Sequence, residues 1–237
     1  IEDCSQCFGG MIENFRVGHF GDFSTMSFQY NKMITAGEGG AVMMNDPENH
    51  QKCVRFHNLG MDRKVGEDPT KTNDPVGPGS IASIGLNYRM SEVCAAIGLA
   101  QFERIDHIVS RRVQVAQLFN NAVKDCDWII PQFVPDQYEH SHYTVSFEYN
   151  GDKIKGISWK EFYNMYTEMG GDGFYSACVV PYLEPVFQNN PNYNKILTKG
   201  LCPVAEEMQK KIMQFKTNYR SIDDAKHKAN ILKNLVD

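Results

Sequence analysis

Residues 24–44 read STMSFQYNKMITAGEGGAVMM, and this stretch decides the fold. Residues 24–28 and 40–44 are short apolar segments bounded by glycine, asparagine or lysine, which predicts two buried strands. Between them residues 31–39 form a glycine-rich loop that begins with Asn31 and Lys32. Upstream, Asp3 sits at what reads as a strand end, Gln6 follows three residues on, and Ser27 closes the first apolar segment. A lysine held in a glycine-rich turn beside buried strands suits a Schiff-base nucleophile, because partial burial lowers its pKa and frees the amine. A solvated loop lysine fits the same spacing, and Asp3 fits a turn or cap equally well.

Outward from this stretch, Ser91 is placed to cap a helix in which Val93, Ile97, Ala100, Ile105 and Ile108 recur at helical spacing. A second amphipathic run covers residues 113–123, and the two together predict a helical bridge between domains. Residues 144–149 alternate as a strand. Ser158 and Glu161 form a capping box ahead of Phe162, Met165, Tyr166 and Met169, with Gly170 and Gly171 as the stop. Helices are also expected over 205–215 and 221–235, the latter with Ser221 and Asp224 as a capping pair. Residues 66–79 carry three prolines and three glycines, too long a loop for mere punctuation, and read as a surface loop or an active-site flap. Ile1-Glu2-Asp3 opens as though at the end of a strand, which reads as a carboxy-terminal fragment.

Composition excludes several classes. With 42% hydrophobic and 22% charged residues the 237-residue chain is globular rather than disordered. Its net charge of -5 supplies no basic excess for a nucleic acid. No apolar run approaches a membrane span, and no basic-flanked leader opens the chain. The seven cysteines are scattered and odd in number, which reads as reduced thiols and a cytoplasmic protein. Cys4 and Cys7 have CxxC spacing, but no second pair or ligand-spaced histidines follow, so no metal site is expected.

Residues 2–10 (EDCSQCFGG), 18–32 (GHFGDFSTMSFQYNK), 37–46 (GEGGAVMMND) and 85–106 (GLNYRMSEVCAAIGLAQFERID) resemble the DegT/StrS-type sugar aminotransferases. These are pyridoxal-phosphate enzymes of fold type I. The resemblance continues more faintly through residues 171–187 (GDGFYSACVVPYLEPVF) and 202–208 (CPVAEEM). It implies that Lys32 is the lysine bonded to pyridoxal phosphate as a Schiff base and the proton carrier. Asp3 would pair with the pyridine nitrogen, Gln6 would lie against the ring, and Ser27 would donate to the phosphate. Asn87 would reach the phosphate of the neighbouring subunit's cofactor, and Arg89 the carboxylate of the amino donor. His142 and Tyr143 are the best candidates for touching substrate. Without the resemblance, Asn87 reads as a helix cap and Arg89 as one side of a structural ion pair.

The fold so implied is α/β: the carboxy-terminal part of a fold type I transferase. Residues 1–108 would be the remainder of a large cofactor domain with a mixed, mostly parallel sheet, and 109–237 a smaller α/β domain. The family's amino-terminal segment, with its phosphate-cradling turn and ring-stacking aromatic, is absent from this sequence. The histidine and proline arrangement often seen at the sugar is missing from residues 170–187. The implied activity moves an amino group from glutamate to a keto or aldehyde sugar, either a nucleotide-activated hexose or an 8-oxo octulosonate. The enzyme would be a cytoplasmic homodimer sharing its active sites across the interface. The competing readings are a non-catalytic scaffold and a sugar dehydratase of the same fold. A scaffold has no need of a converging acid, hydroxyl and amine, and the dehydratases often replace the lysine by histidine.

Overall fold

The computed structural model describes residues 1–62, 81–176 and 179–237, so the loop at 66–79 lies outside the described residues. The chain divides into two compact units, Ile1–Asp106 and His107–Asp237.

In the first unit, β1 (Glu2–Asp3), β2 (Met11–Ile12), β3 (Phe15–Arg16), β4 (Ser24–Ser27) and β5 (Gly40–Met43) precede α1 (Pro47–His57) and α2 (Glu92–Phe102). The sheet runs β1-β4-β5. β1 lies parallel to β4, with Asp3 opposite Thr25, whereas β5 pairs antiparallel to β4 with Ser27 opposite Gly40. The sheet is mixed as expected, but its longer pairing is antiparallel rather than parallel, because the loop between β4 and β5 folds the chain straight back with no crossover helix. β4 forms where a buried strand was expected, but it buries only alternate residues, Ser24 and Met26. β5 departs from the reading as a buried strand, since Val42 is 51% exposed and Met43 41% exposed.

Asp46 caps α1 by accepting the Asn49 amide at 2.6 Å, with Pro47 at the first helical position. Ser91 caps α2 through the Cys94 amide at 3.2 Å. The expected helical run breaks at Glu103–Arg104, so Ile105 and Ile108 belong to α3 (Ile105–Ala122). α2 is apolar on all sides yet buries only Gly98, and it exposes Val93, Leu99 and Phe102.

The second unit continues α3 through β6 (Ile129–Pro131), β7 (Tyr138–Glu139), β8 (Thr144–Tyr149), α4 (Gly151–Ile154) and α5 (Trp159–Glu168). A 3-10 turn (Pro181–Leu183), α6 (Pro185–Gln188), α7 (Pro203–Met208), β9 (Ile212–Lys216) and α8 (Ile222–Val236) complete it. β6, β8 and β9 make an antiparallel sheet in the order β6-β8-β9. Val145, Phe147 and Tyr149 of β8 and Met213 and Phe215 of β9 point to one face, where α3, α5 and α8 cover them with Phe119, Phe162, Tyr166 and Leu232. Helices on one face of an antiparallel sheet form the unit's core.

The α5 capping box is present, the Ser158 hydroxyl accepting the Glu161 amide while the Glu161 carboxylate accepts the Ser158 amide. At α8 the Ser221 hydroxyl accepts from Asp223, so Asp224 takes no part in the cap. The helix expected over 205–215 is instead the short α7 followed by β9. The alternation Met213–Gln214–Phe215 pairs with β8, and ladder bonding to a strand already in place outweighs local helical spacing.

Candidate active site

Backbone bonds place Asp3 and Ser27 at one end of the first unit's sheet, with Gln6 and Lys32 in the turns that follow. The Glu2 amide donates to Phe23 O and the Cys4 amide to Thr25 O, which locks β1 beside β4. Asp3 ends β1, and its carboxylate accepts the Ser5 amide at 3.0 Å, turning the chain sharply. The Cys7 amide closes that turn on Cys4 O at 3.2 Å, leaving Gln6 exposed at its tip. The Ser5 hydroxyl and amide, with the Lys32 ammonium behind them, hold the Asp3 carboxyl below its ordinary value. Asp3 is therefore a fixed anion at neutral pH.

Ser27 ends β4 on the same side, because β1 and β4 run parallel. Beyond it the Lys32 amide donates to Gln29 O at 2.9 Å and the Ala36 amide to Phe28 O at 2.9 Å. Met33, Ile34 and Ala36 are buried and anchor this turn, which leaves Lys32 half-buried at its head. The loop returns to β5 through Gly39, whose φ of +145° disfavours any side chain and whose α-carbon lies against the end of Met90. Positive φ at Gly37 and Gly39 thus makes these two glycines a backbone requirement of the turn that carries Lys32.

Met90 ties residues 87–90 to that loop. The Leu86 and Tyr88 amides donate to Phe56 O and His57 O, so this segment runs along the end of α1 and presents Asn87 and Arg89 outward. Arg89 Nε donates to Asn87 Oδ1 at 2.8 Å. Ser91, not Asn87, caps α2, which removes the reading of Asn87 as a helix cap.

Glu2 went unrecognised in the sequence. Its carboxylate accepts the amides of Gly18 (2.6 Å), Phe20 (3.0 Å) and Gly21 (3.2 Å), binding the 18–21 loop to the strand that ends in Asp3. Burial would raise its pKa, but these three donors lower it. The available signal was an acid one residue before Asp3 with a Gly-x-x-Gly turn downstream. Burial pushes the Cys4 thiol of the CxxC pair up to about 12 and raises that of Cys7, which disfavours the thiolate at both. Among the described residues no three metal-ligating side chains come together.

In the second unit, His142 and Tyr143 form the turn into β8, and His142 lies on the wall of a cleft of about 480 Å³ that also includes Gln132, Tyr138 and His140, whereas Tyr143 does not line it. The His140 and His142 rings lie 4.3 Å apart. Burial, reinforced by His140, lowers His142 to about 4, and burial also lowers His140, so both rings are neutral at pH 7.

An anionic carboxylate, a hydroxyl and a primary amine thus lie beyond the carboxyl ends of the adjacent parallel strands β1 and β4, the end of an α/β sheet at which ligands commonly bind. The donor set fits pyridoxal phosphate, with an acid for the ring nitrogen, a hydroxyl for a phosphate oxygen and an amine for the aldehyde carbon. The chain belongs to the DegT/DnrJ/EryC1/StrS aminotransferase family, whose model matches residues 1–227.

It is 40% identical over 125 residues to the GDP-perosamine synthase of Escherichia coli O157:H7, covering 52% of this chain and 30% of that protein. It is 33% identical over 131 residues to the UDP-4-amino-4,6-dideoxy-N-acetyl-beta-L-altrosamine transaminase of Helicobacter pylori, covering 55% of this chain and 32% of that one. The chain thus spans about a third of the length of these curated relatives. Among solved structures, an aminotransferase from Psychrobacter cryohalolentis superposes with a TM-score of 0.83 at 22% identity, over 98% of this chain and 60% of that one. The Helicobacter pylori aminotransferase involved in the biosynthesis of pseudoaminic acid gives 0.79 at 23% identity, over 99% and 58%. These likenesses establish the α/β fold.

Proposed function

We propose that the protein is a pyridoxal-phosphate-dependent sugar aminotransferase that moves an amino group from glutamate to a keto sugar carried on a nucleotide. The observation that carries this reading is the meeting of Asp3, Ser27 and Lys32 beyond β1 and β4 in a chain of this family. When bound, pyridoxal phosphate supplies an electron sink for the pair left as the α-proton departs. Asp3, held ionised by Ser5, keeps the ring nitrogen protonated. Ser27 donates to the phosphate, and Gln6 holds the ring from the turn after β1. Lys32 would hold the cofactor through its side-chain amine, and when free that amine would serve as the proton carrier.

Asn87 and Arg89 are outward-facing, which suits residues that complete a neighbouring subunit's site. We assign Asn87 to the partner's cofactor phosphate and Arg89 to the donor carboxylate, in a homodimer. The uncovered apolar side chains of α2 support burial of this unit against further protein. His142 and Tyr143 are assigned to the sugar. A GDP-linked hexose is the first candidate, because the relatives reported above are named for nucleotide-linked sugars and not for an octulosonate. Among the described residues six cysteines are free, in keeping with a reducing cytoplasm, and no helix is long and apolar enough to cross a membrane.

The test is a visible absorption spectrum of the intact protein reconstituted with pyridoxal phosphate, before and after glutamate, beside Lys32→Ala. The expected result is a cofactor band that glutamate bleaches and the variant lacks. Wild-type protein without a band overturns the aminotransferase reading and leaves a non-catalytic member of the fold.

A further inference from the structure

His142 adopts φ +51°, a left-handed conformation that a residue with a side chain reaches only at a cost. Such strain persists where the surroundings over-determine it, and it concentrates at functional positions. Here three backbone groups of the turn are held. The His142 amide donates to His140 Nδ1 at 2.9 Å. The Thr217 hydroxyl is 2.7 Å from His142 O and 3.0 Å from Tyr143 O. Arg112 Nη1 donates to Tyr143 O at 3.1 Å and to Thr217 Oγ1 at 2.8 Å.

The clamp is built from buried parts. Thr217 is fully buried and Arg112 is 7% exposed, with both of these bonds going to uncharged oxygens. Burial lowers the Arg112 pKa, since a guanidinium taken out of water is disfavoured in its charged form. A glycine at position 142 would adopt this conformation without strain. The protein instead keeps a histidine there, beside the cleft shared with Tyr138 and Gln132.

We infer that Arg112 and Thr217 are positioning residues, a buried clamp that fixes the His142–Tyr143 turn in the conformation that meets the sugar. This rests on the assignment of His142 and Tyr143 to the sugar. Neither clamp residue touches substrate; each acts through the carbonyls of the turn. Loss of the Thr217 hydroxyl frees the His142 carbonyl and removes one acceptor from Arg112, so the turn relaxes from its strained geometry.

The experiment uses the intact protein with GDP-perosamine as amino donor and 2-oxoglutarate as acceptor, with sugar binding measured in parallel by calorimetry. Thr217→Val is expected to raise both the sugar KM and its Kd about tenfold, the loss of one net hydrogen bond of about 1.4 kcal/mol. The KM for 2-oxoglutarate should move less than about twofold on the same scale. Thr217→Ser, which keeps the hydroxyl, should restore the sugar values.

A Thr217→Val variant that melts earlier but binds sugar as wild type does would show the clamp to be merely structural and overturn the inference. If Thr217→Val does not fold, Arg112→Lys is read in the same way. His142→Ala with Tyr143→Ala separates the two levels. Raised sugar values there with an unchanged Thr217→Val defeat the clamp alone. Unchanged values in all variants, or no sugar binding by wild type, defeat the sugar assignment and the clamp together.

Discussion

Met213→Ala and Ile212→Ala, made separately, test whether residues 212–216 are a strand. In the strand, Met213 is fully buried opposite Phe147 of β8, while Ile212 is only partly buried on the other face. Truncating a fully buried methionine removes its transfer free energy and leaves a cavity, about 3 kcal/mol in total. Truncating a partly covered isoleucine costs about 1 kcal/mol. A helix over the same residues reverses the order, because Met208, Ile212 and Phe215 would share its inner stripe and Met213 would leave it. Urea unfolding followed by tryptophan fluorescence reads the second unit alone, since both tryptophans, Trp128 and Trp159, lie in it. With a slope of about 2 kcal/mol per molar, Met213→Ala should lower the midpoint by about 1.5 M and Ile212→Ala by about 0.5 M. A larger fall for Ile212→Ala would refute the strand and its register.

Both His140 and His142 have pKa values depressed by burial, so between their ordinary 6.5 and about 4 the unfolded chain binds more protons than the native one. The second unit's stability should therefore be complete above pH 6.5 and fall as the pH drops towards 4, with a shallower fall in His142→Gln; equal slopes by urea titration at several pH values would contradict the burial of this ring. Ser158→Ala removes the hydroxyl of the α5 capping box and should cost about 1 kcal/mol in the same unfolding assay. Gly39→Ala should destabilise the first unit by more than 1 kcal/mol, since it combines positive φ with a clash at Met90; a stability change near zero by calorimetry would show that the loop relaxes freely.

The local chemistry of the chain was readable without coordinates wherever it depends on neighbours in sequence. The capping box at Ser158, the Ser91 cap, the strand at Thr144–Tyr149 and the glycine turn after Lys32 all follow from short-range sterics and hydrogen bonding. Asp3, Ser27 and Lys32 stood out because strand ends and glycine turns mark where side chains gather, and their family strings named the chemistry. Tertiary structure decided what depends on distant partners. Residues 212–216 became a strand because β8 offered a ladder, and β5 lies exposed despite its apolar sequence because burial depends on what packs against it.

The three amides that hold Glu2 come from a loop beginning sixteen residues later. Arg112 and Thr217 are 105 residues apart, and each looks ordinary in its own segment. Propensity and patterning are properties of a few adjacent residues, so the sequence carries them openly. A strained turn and the buried clamp that holds it are set by contacts that exist only once the chain has closed on itself.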